Sequence, residues 1–254
     1  VCAREGSSDV GEARRQFTEQ FGQDAVLVGY TGARVSSTRV RTCAALGADT
    51  AGMVPPAIAK YIKSEGLYCL PEVAKAQKLM NEKRAAHTLR VAFMAAENCR
   101  RFGIHEKKAL TAAGLHDAAK NLKLTDKHLK GFVPPEGVPE SVMHQYSGAY
   151  LAEHVFGVTD EDILNAISYH TSGRPGMSDL EKLIFLCDML EEGRDFDGVD
   201  GLRKVFARDI DECLELALRQ ELDYLSAEGK YIYPLTQEAY NYIHAHKNCK
   251  ENIE

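Results

Sequence analysis

Apolar residues recur along most of the chain with the spacing of helices, which predicts a mainly α-helical protein. One run differs, because AVLVGY at 25–30 is short, rich in β-branched residues and closed by glycines, and it predicts a buried parallel strand. Two helices are predicted after it, one in RVSSTRVRTCAAL and one in VPPAIAKYIKSEGLY. Every later element is predicted to be a helix, over 72–102, 106–121, 140–156, 160–170, 178–192, 199–227 and 235–247.

Two of these helices begin with a recognisable signal. TDED at 159–162 and SDLE at 178–181 have the pattern of a capping box, which predicts a helix start at each. Only helices are predicted beyond residue 75, so a domain boundary is predicted there. We therefore expect a short, truncated α/β segment over 1–75 and an all-helical domain over 76–254.

Composition and charge narrow the classes of function. The formal net charge of −6 over 254 residues does not indicate a nucleic-acid surface. No apolar run approaches the roughly 18 residues of a membrane span. The seven cysteines include no C-x-x-C pair, which predicts reduced thiols and a cytoplasmic protein. The chain begins with Val1 rather than Met, which raises the expectation that it starts partway through a longer gene product.

Four predicted helices carry ionisable residues where the pattern calls for apolar ones: His87, His116 with Asp117, His170 and Asp188. A single histidine of this kind is more often a satisfied core or surface residue, as we expect for His105, His128, His154, His244 and His246. The occurrence of His87, His116 with Asp117, His170 and Asp188 together favours a metal site instead. Imidazoles and carboxylates without thiolates suit a first-row divalent metal.

Asp188 is the decisive member of this set, because it lies within the most apolar helix, LIFLCDML. Burying an isolated carboxylate would cost several kcal/mol, so it needs a cation. Lys182 and Arg194 lie six residues away, outside the spacing of helical neighbours, and neither is predicted to pair with it. A metal bound with imidazoles from other helices would satisfy the charge.

The adjacent pair His116 and Asp117 predicts a more elaborate centre. Neighbours on a helix point about 100° apart, so one can face a metal while the other reaches it obliquely or bridges to a second ion. His144 and His170 are the candidate ligands of that second ion. Two ions about 3.5–4 Å apart could clamp a phosphate group.

The order H…HD…D resembles the ligand set of HD-domain phosphohydrolases, whose metal lies in an all-helical domain. Four segments are more specific, and they resemble the YqeK family of symmetrical bis(5′-nucleosyl)-tetraphosphatases over about 76–241: HTLRVA (87–92), AGLHDAAK (113–120), AISYHTSGRPGM (166–177) and LEKLIFLCDMLEEGRDF (180–196). The resemblance implies that His87, His116, Asp117 and Asp188 hold iron, as one or two ions, with manganese or another divalent metal as alternatives. It also implies hydrolysis of diadenosine tetraphosphate to two ADP by a metal-activated water.

Further roles follow from the same resemblance. Asp117 and Lys120 are expected to be catalytic, and the polyphosphate is expected to contact Lys120, His144, His170, Thr171, Arg194 and Asn241. The chain departs from the family twice. The family usually continues its middle histidine as H-G-P-V, whereas His144 is followed here by Gln145, Tyr146 and Ser147. Near the C-terminus, Tyr240 stands where an arginine is usual.

The N-terminal segment has a resemblance of its own. VSSTRVR (35–41) and MVPPAIAKYIKSEGLY (53–68) are similar to the C-terminal end of bacterial nicotinate mononucleotide adenylyltransferases. This implies an anion-binding remnant at a helix N-terminus, formed by Ser36, Ser37, Thr38 and Arg41. Residues 1–75 contain no H-x-G-H motif, so they are read either as a structural remnant or as the end of a fused enzyme.

The expected partner is a small nucleotide, with neither nucleic acid nor a membrane, and a homodimer is left open. Three alternatives remain at this stage. The chain could be another HD-type nucleotide phosphohydrolase, a nucleotide-binding module without turnover, or part of a longer adenylyltransferase for NAD biosynthesis. The products formed from diadenosine tetraphosphate and from mononucleotides would separate them.

Overall fold

The computed structural model describes residues 10–24 and 35–251, and these contain helices but no strand. The strand predicted at 25–30 lies outside the described residues. The chain divides into two compact units, Val1–Ser36 and Ser37–Glu254. The described part of the first unit is a single helix, α1 (Val10–Phe21).

The second unit is built from helices that lie close together in sequence. In chain order they are α2 (Ser37–Leu46), α3 (Pro56–Ser64), α4 (Pro71–Ala76), α5 (Glu82–Asn98), α6 (Glu106–Leu115), α7 (Glu140–His154), α8 (Glu161–Ser168), α9 (Asp179–Leu190), α10 (Val199–Phe206), α11 (Ile210–Ala227) and α12 (Pro234–Glu251). Short 3-10 turns occupy Gln77–Leu79, Cys99–Phe102 and Lys127–Leu129. No described helix is long and apolar enough to cross a membrane.

The core lies where α5, α6, α8 and α9 pack on one another, with α11 against α9. Helix α2 packs on α5 and α4 packs on α6, so the compact helical unit begins at Ser37. The boundary near residue 75 separates two family resemblances and stays a prediction in that sense. The described cysteines are free, as expected for reduced thiols: Cys43, Cys69, Cys99, Cys187 and Cys213.

Three predicted helices were too long, and in two of them a side chain caps the backbone at the break. In 72–102 a new helix begins after Asn81, whose side chain accepts a hydrogen bond from the Arg84 amide. In 199–227 Asp209 caps the start of α11 by accepting from the Asp211 and Glu212 amides. The helix predicted over 106–121 ends at Leu115. Short polar side chains compete in this way with helix propensity.

The two predicted capping boxes differ in outcome. At 178–181 the prediction is confirmed, since Ser178 accepts from the Glu181 amide and the Glu181 side chain accepts from the Ser178 amide. At 159–162 it is wrong, because Asp160 is the capping residue and accepts from the Asp162 amide. A carboxylate caps at least as well as a threonine, so the helix begins one residue later.

A close contact joins α4 to α6. Gly114 lies against Val73, and a Cβ added to Gly114 would come within 2.3 Å of a Val73 methyl group. The Gln77 side chain also donates a hydrogen bond to the Gly114 carbonyl at 3.3 Å. The segment that precedes residue 76 therefore presses directly on the helix that leads to His116.

Candidate metal centre

The predicted ligands come from five helices and meet in the interior. His87 lies in α5, His144 in α7 and Asp188 in α9. His116 and Asp117 directly follow α6, and His170 follows α8. The five residues His87, His116, Asp117, His144 and His170 are buried, and Asp188 is partly so. The centre thus combines residues within helices with residues that directly follow them. The prediction that His116 and Asp117 lie within a helix was wrong, because α6 ends at Leu115.

One group of side chains surrounds Oδ2 of Asp117. Nε2 of His87 lies 3.7 Å from this oxygen, and Nε2 of His116 lies 3.5 Å from it. Asp188 adds a carboxylate, with its Oδ1 2.9 Å from Nε2 of His87. His87, His116 and Asp117 place one ligand atom each within 4.8 Å of one another, a separation that a single ion can bridge.

A second group surrounds Oδ1, the other oxygen of Asp117. Nε2 of His144 lies 3.5 Å from it and Nε2 of His170 lies 3.6 Å from it. These three residues also place their ligand atoms within 4.8 Å of one another. Asp117 therefore lies between two imidazole groups, each facing a different oxygen of the same carboxylate.

Unpartnered atoms test whether these residues fit a metal. Among the described residues, Nε2 of His87, Nε2 of His116 and Oδ1 of Asp117 are buried and have no hydrogen-bond partner. Buried polar atoms are rarely left without a partner. Two of these atoms lie on the Oδ2 side of Asp117 and the third is its Oδ1, so they fit divalent cations on the two sides of this carboxylate.

In three of the histidines, a contact at the other ring nitrogen, Nδ1, explains why Nε2 points toward the centre. Nδ1 of His116 donates to the Ala113 carbonyl at 2.7 Å, and Nδ1 of His170 donates to the Ile167 carbonyl at 2.8 Å. Nδ1 of His87 lies 3.1 Å from Oε1 of Glu191. An acceptor at Nδ1 places the proton there and leaves the Nε2 lone pair toward the centre, as in metal-ligating histidines.

The pKa values agree with neutral imidazoles. Burial lowers the pKa of His116 to about 4 and that of His144 to about 2, so both keep a lone pair at pH 7. Burial alone would raise the pKa of Asp117, but the surrounding imidazoles, His116 foremost, hold it below its usual range. His116 and His144 therefore offer neutral nitrogens beside the ionised carboxylate of Asp117.

Glu191 supports His87 from behind. Its carboxylate is buried and also accepts from the Arg90 guanidinium, with 2.5 Å from Nε to Oε2, and from the Gly193 amide. Burial opposes ionisation, but these donors, Arg90 first, lower the pKa of Glu191 to about 2. Glu191 is thus an ionised carboxylate that fixes the tautomer of His87.

Three cations surround the centre. Arg84 forms an ion pair with Oδ2 of Asp117, and Arg194 contacts Asp188 with 2.6 Å from its Nη2 to Oδ1. Nζ of Lys120 lies 3.0 and 3.2 Å from the two ring nitrogens of His144. The prediction that Arg194 does not pair with Asp188 was wrong. Helix α9 ends at Leu190 and the chain turns back, so helical spacing does not apply.

The other predicted site residues divide into two sets. Thr171 belongs to the centre, since its hydroxyl lies 3.0 Å from Nε2 of His144. Asn241 is exposed on α12 and accepts from Gln237, and no hydrogen bond among the described residues joins it to the centre. Its substrate role stays a prediction.

The proposed anion-binding remnant has a competing partner. Ser37 and Thr38 lie at the start of α2, as predicted, with Ser36 immediately before it. The Arg41 guanidinium, however, pairs with Glu106 at 3.1 Å and donates to the Thr38 hydroxyl. Its charge is therefore already compensated within the helical unit.

The sequence interpretation missed Arg84, Arg90 and Glu191. Arg84 precedes His87 by three residues, which places the two on one face of α5, and this spacing was the available signal. Arg90 lies three residues after His87 for the same reason. Glu191 gave no comparable signal, because a carboxylate in the polar turn EEGRD is ordinary.

Glu221 on α11 supplies a prediction of pH dependence. The residue keeps some exposed surface but its carboxyl group is enclosed, and burial, with the Asp188 charge, raises its pKa from 4.5 to about 7. Because the folded pKa is the higher one, this group lowers the free energy of unfolding as pH rises from 4.5 to 7. We expect Glu221→Gln to raise Tm by a few degrees at pH 8 and to leave it unchanged at pH 4.

Thermal unfolding followed by circular dichroism at both pH values checks this. Asp223→Asn, which changes an exposed carboxylate of the same helix, is the matched control and should leave Tm unchanged throughout. Equal Tm values for Glu221→Gln and wild type at pH 8 would contradict the enclosed carboxyl.

The sequence of the chain is similar to those of known hydrolases. The HD domain family model matches residues 84–227. The chain is 36% identical over 188 residues to the symmetrical bis(5′-nucleosyl)-tetraphosphatase of Bacillus subtilis, covering 71% of this chain and 97% of that protein. It is 31% identical over 192 residues to a probable nicotinate-nucleotide adenylyltransferase/Ap4A hydrolase of Mycoplasma genitalium, covering 73% of this chain and 52% of the relative.

A solved structure is also similar. It is a predicted HD superfamily hydrolase involved in NAD metabolism from Clostridium acetobutylicum, with a TM-score of 0.60 and 32% sequence identity. The match covers 69% of this chain and 96% of that one.

Proposed function

We propose that this chain, a hydrolase that belongs to the HD-domain family, cleaves diadenosine tetraphosphate symmetrically to two ADP. One observation carries the proposal. Asp117 is buried between two groups of imidazoles whose Nε2 atoms lie 3.5–3.7 Å from its two oxygens. This arrangement suits metal-assisted phosphoryl chemistry, and relatives named for this reaction share about a third of their residues with the chain.

The described residues divide between two ion sites in this proposal. His87, His116, Asp117 and Asp188 would hold a first ion, and Asp117, His144 and His170 would hold a second. Iron is the ion that the family resemblance implies, and manganese or another divalent metal suits the same ligands. When bound, such an ion supplies Lewis-acid stabilisation of the phosphoryl oxygens and lowers the pKa of a water.

The cations would bind the polyphosphate. Lys120 contacts His144, Arg194 contacts Asp188 and Arg84 contacts Asp117, so each cation lies beside a proposed ligand residue. An arginine fork suits phosphate oxygens, and a lysine ammonium stabilises charge that develops on them. Thr171, next to His144, can donate its hydroxyl to the same oxygens. Lys120 is thus the proposed catalytic cation and Asp117 the shared ligand.

The test is hydrolysis by the intact chain, purified under anaerobic conditions and supplied with ferrous or manganous ion. Diadenosine tetraphosphate should give two ADP on ion-exchange chromatography, and a chelator should abolish turnover. ATP with AMP would contradict symmetrical cleavage. Phosphate release from AMP without cleavage of the dinucleotide would indicate a mononucleotide phosphohydrolase, and binding without turnover would indicate a sensing module.

A second activity is favoured by one observation, the relative in Mycoplasma genitalium that is named for adenylyl transfer and Ap4A hydrolysis together. The chain spans about half of that relative, at 52% of its length. Adenylyl transfer would then belong to a longer parent protein. The same anaerobic preparation, supplied with nicotinate mononucleotide and ATP, should form no dinucleotide, because residues 1–75 lack an H-x-G-H motif.

A further inference from the structure

Gln145, the residue after His144 on α7, is fully buried and forms a clamp on the loop that follows His170. Its Oε1 accepts hydrogen bonds from two backbone amides, Thr171 N at 3.2 Å and Ser172 N at 3.1 Å. Its Nε2 donates to the Ser172 hydroxyl at 3.0 Å. Because both amide nitrogens can only donate, the oxygen of the carboxamide must face them.

This clamp connects the two histidines of the second group. His144 immediately precedes Gln145 on α7, while His170 immediately precedes the two clamped amides. Nε2 of His144 and Nε2 of His170 lie 3.1 Å apart, and Thr171 Oγ1 lies 3.0 Å from the former. The separation of these three groups therefore depends on how the 171–172 backbone is held against α7.

Thr171 also contacts α7 through its hydroxyl, 3.0 Å from Nε2 of His144, but this contact involves a side chain and leaves the two backbone amides to Gln145. The Ser172 hydroxyl donates onward to the Gly173 carbonyl at 2.9 Å, so it depends on the loop rather than anchoring it to α7. Without the Gln145 oxygen, the Thr171 and Ser172 amides would lose their acceptor, which is unfavourable for backbone donors that are removed from water. The loop would then shift to find other partners.

We infer that Gln145 is a positioning residue that holds His144 and His170 at the separation needed for the second ion, an inference that rests on the proposed two-ion function. Ligand groups must stay within about 0.5 Å of their productive geometry for a metal site to work.

Manganese binding tests this without any substrate. Mn²⁺ titration of the intact chain, followed by electron paramagnetic resonance, counts bound ions and detects the signal of a spin-coupled pair. We expect wild type to bind two ions. Gln145→Met, which keeps the size but removes the acceptor, should bind the first within about twofold, bind the second at least about tenfold more weakly, and lose the coupled signal.

We expect turnover to depend on occupancy of the second ion site. We expect kcat of Gln145→Met to fall about tenfold at limiting Mn²⁺ with KM unchanged, and to recover partly at high Mn²⁺. Gln220→Met is the matched control, since its carboxamide donates to the Asp197 carbonyl of another loop, and it should leave both ions in place. Gln145→Glu keeps an acceptor oxygen for the two amides and should retain the second ion.

Several results would overturn the inference. They are unchanged binding of both ions by Gln145→Met, equal weakening of both with a lowered Tm, loss of the second ion in Gln145→Glu, or a wild type that binds one ion. If wild type binds two ions but leaves diadenosine tetraphosphate intact, the proposed function fails, while the clamp is still judged by ion binding alone.

Discussion

Replacement of Asp117 with asparagine is expected to lower kcat for diadenosine tetraphosphate by more than about a hundredfold. Loss of an outer partner of a ligand already costs 10–100-fold in many metal sites, and Asp117 would contact both ions. The amide keeps the shape of the side chain but presents a donor to one of the two imidazole groups. Bound metal, counted after gel filtration, should fall below that of wild type in the same preparation.

The control is an aspartate that pairs with a histidine outside the centre. Asp126 lies 2.7 Å from Nδ1 of His128, away from the centre, and Asp126→Asn should keep full activity and metal content. Wild-type turnover by Asp117→Asn with full metal content would remove Asp117 from the reaction.

Replacement of Glu191 with glutamine is expected to weaken metal binding about 10–100-fold, although this residue contacts no ion in the proposal. The Glu191 carboxylate accepts from His87 and Arg90 together. A carboxamide has one acceptor, so its NH₂ group must face one of these donors. If it faces His87, the imidazole proton moves to Nε2 and the lone pair is lost to the centre.

Equilibrium dialysis against Mn²⁺ measures this effect, and saturating metal should restore most of the activity. Glu192→Gln provides a neighbouring control, because Glu192 is exposed and pairs with Arg39. The idea fails if Glu191→Gln binds Mn²⁺ as tightly as Glu192→Gln does.

The convergence of the polar residues could be predicted from sequence, because burying an unpaired ionisable side chain in an apolar helix costs a large free energy. Asp188 in LIFLCDML needs a partner whichever helix supplies it, and the same holds for His87. The pattern therefore indicates which residues meet without any knowledge of how the helices cross. It does not indicate that His144 and His170 would face one oxygen of Asp117 and His87 and His116 the other.

The helix breaks and the side-chain pairings depend on local geometry, which the periodicity of apolar residues does not predict. The helix breaks at Asn81 and Asp209 arise from side chains that accept backbone amides, although both residues are compatible with a helical pattern. The pairing of Arg194 with Asp188 requires the turn after Leu190. The Glu191 and Gln145 contacts link residues 104 and 27 positions distant, which no single-sequence spacing rule reaches.

The tight fit between Gly114 and Val73 couples α4 to the helix that precedes His116. A methyl group at 114 has no room while valine occupies 73, so a larger residue at 114 requires a smaller one at 73. Removal of the residues up to Val73 would expose its contact surface on α6, two residues ahead of His116. Helix α4 therefore supports the backbone that carries His116 and Asp117 into the centre.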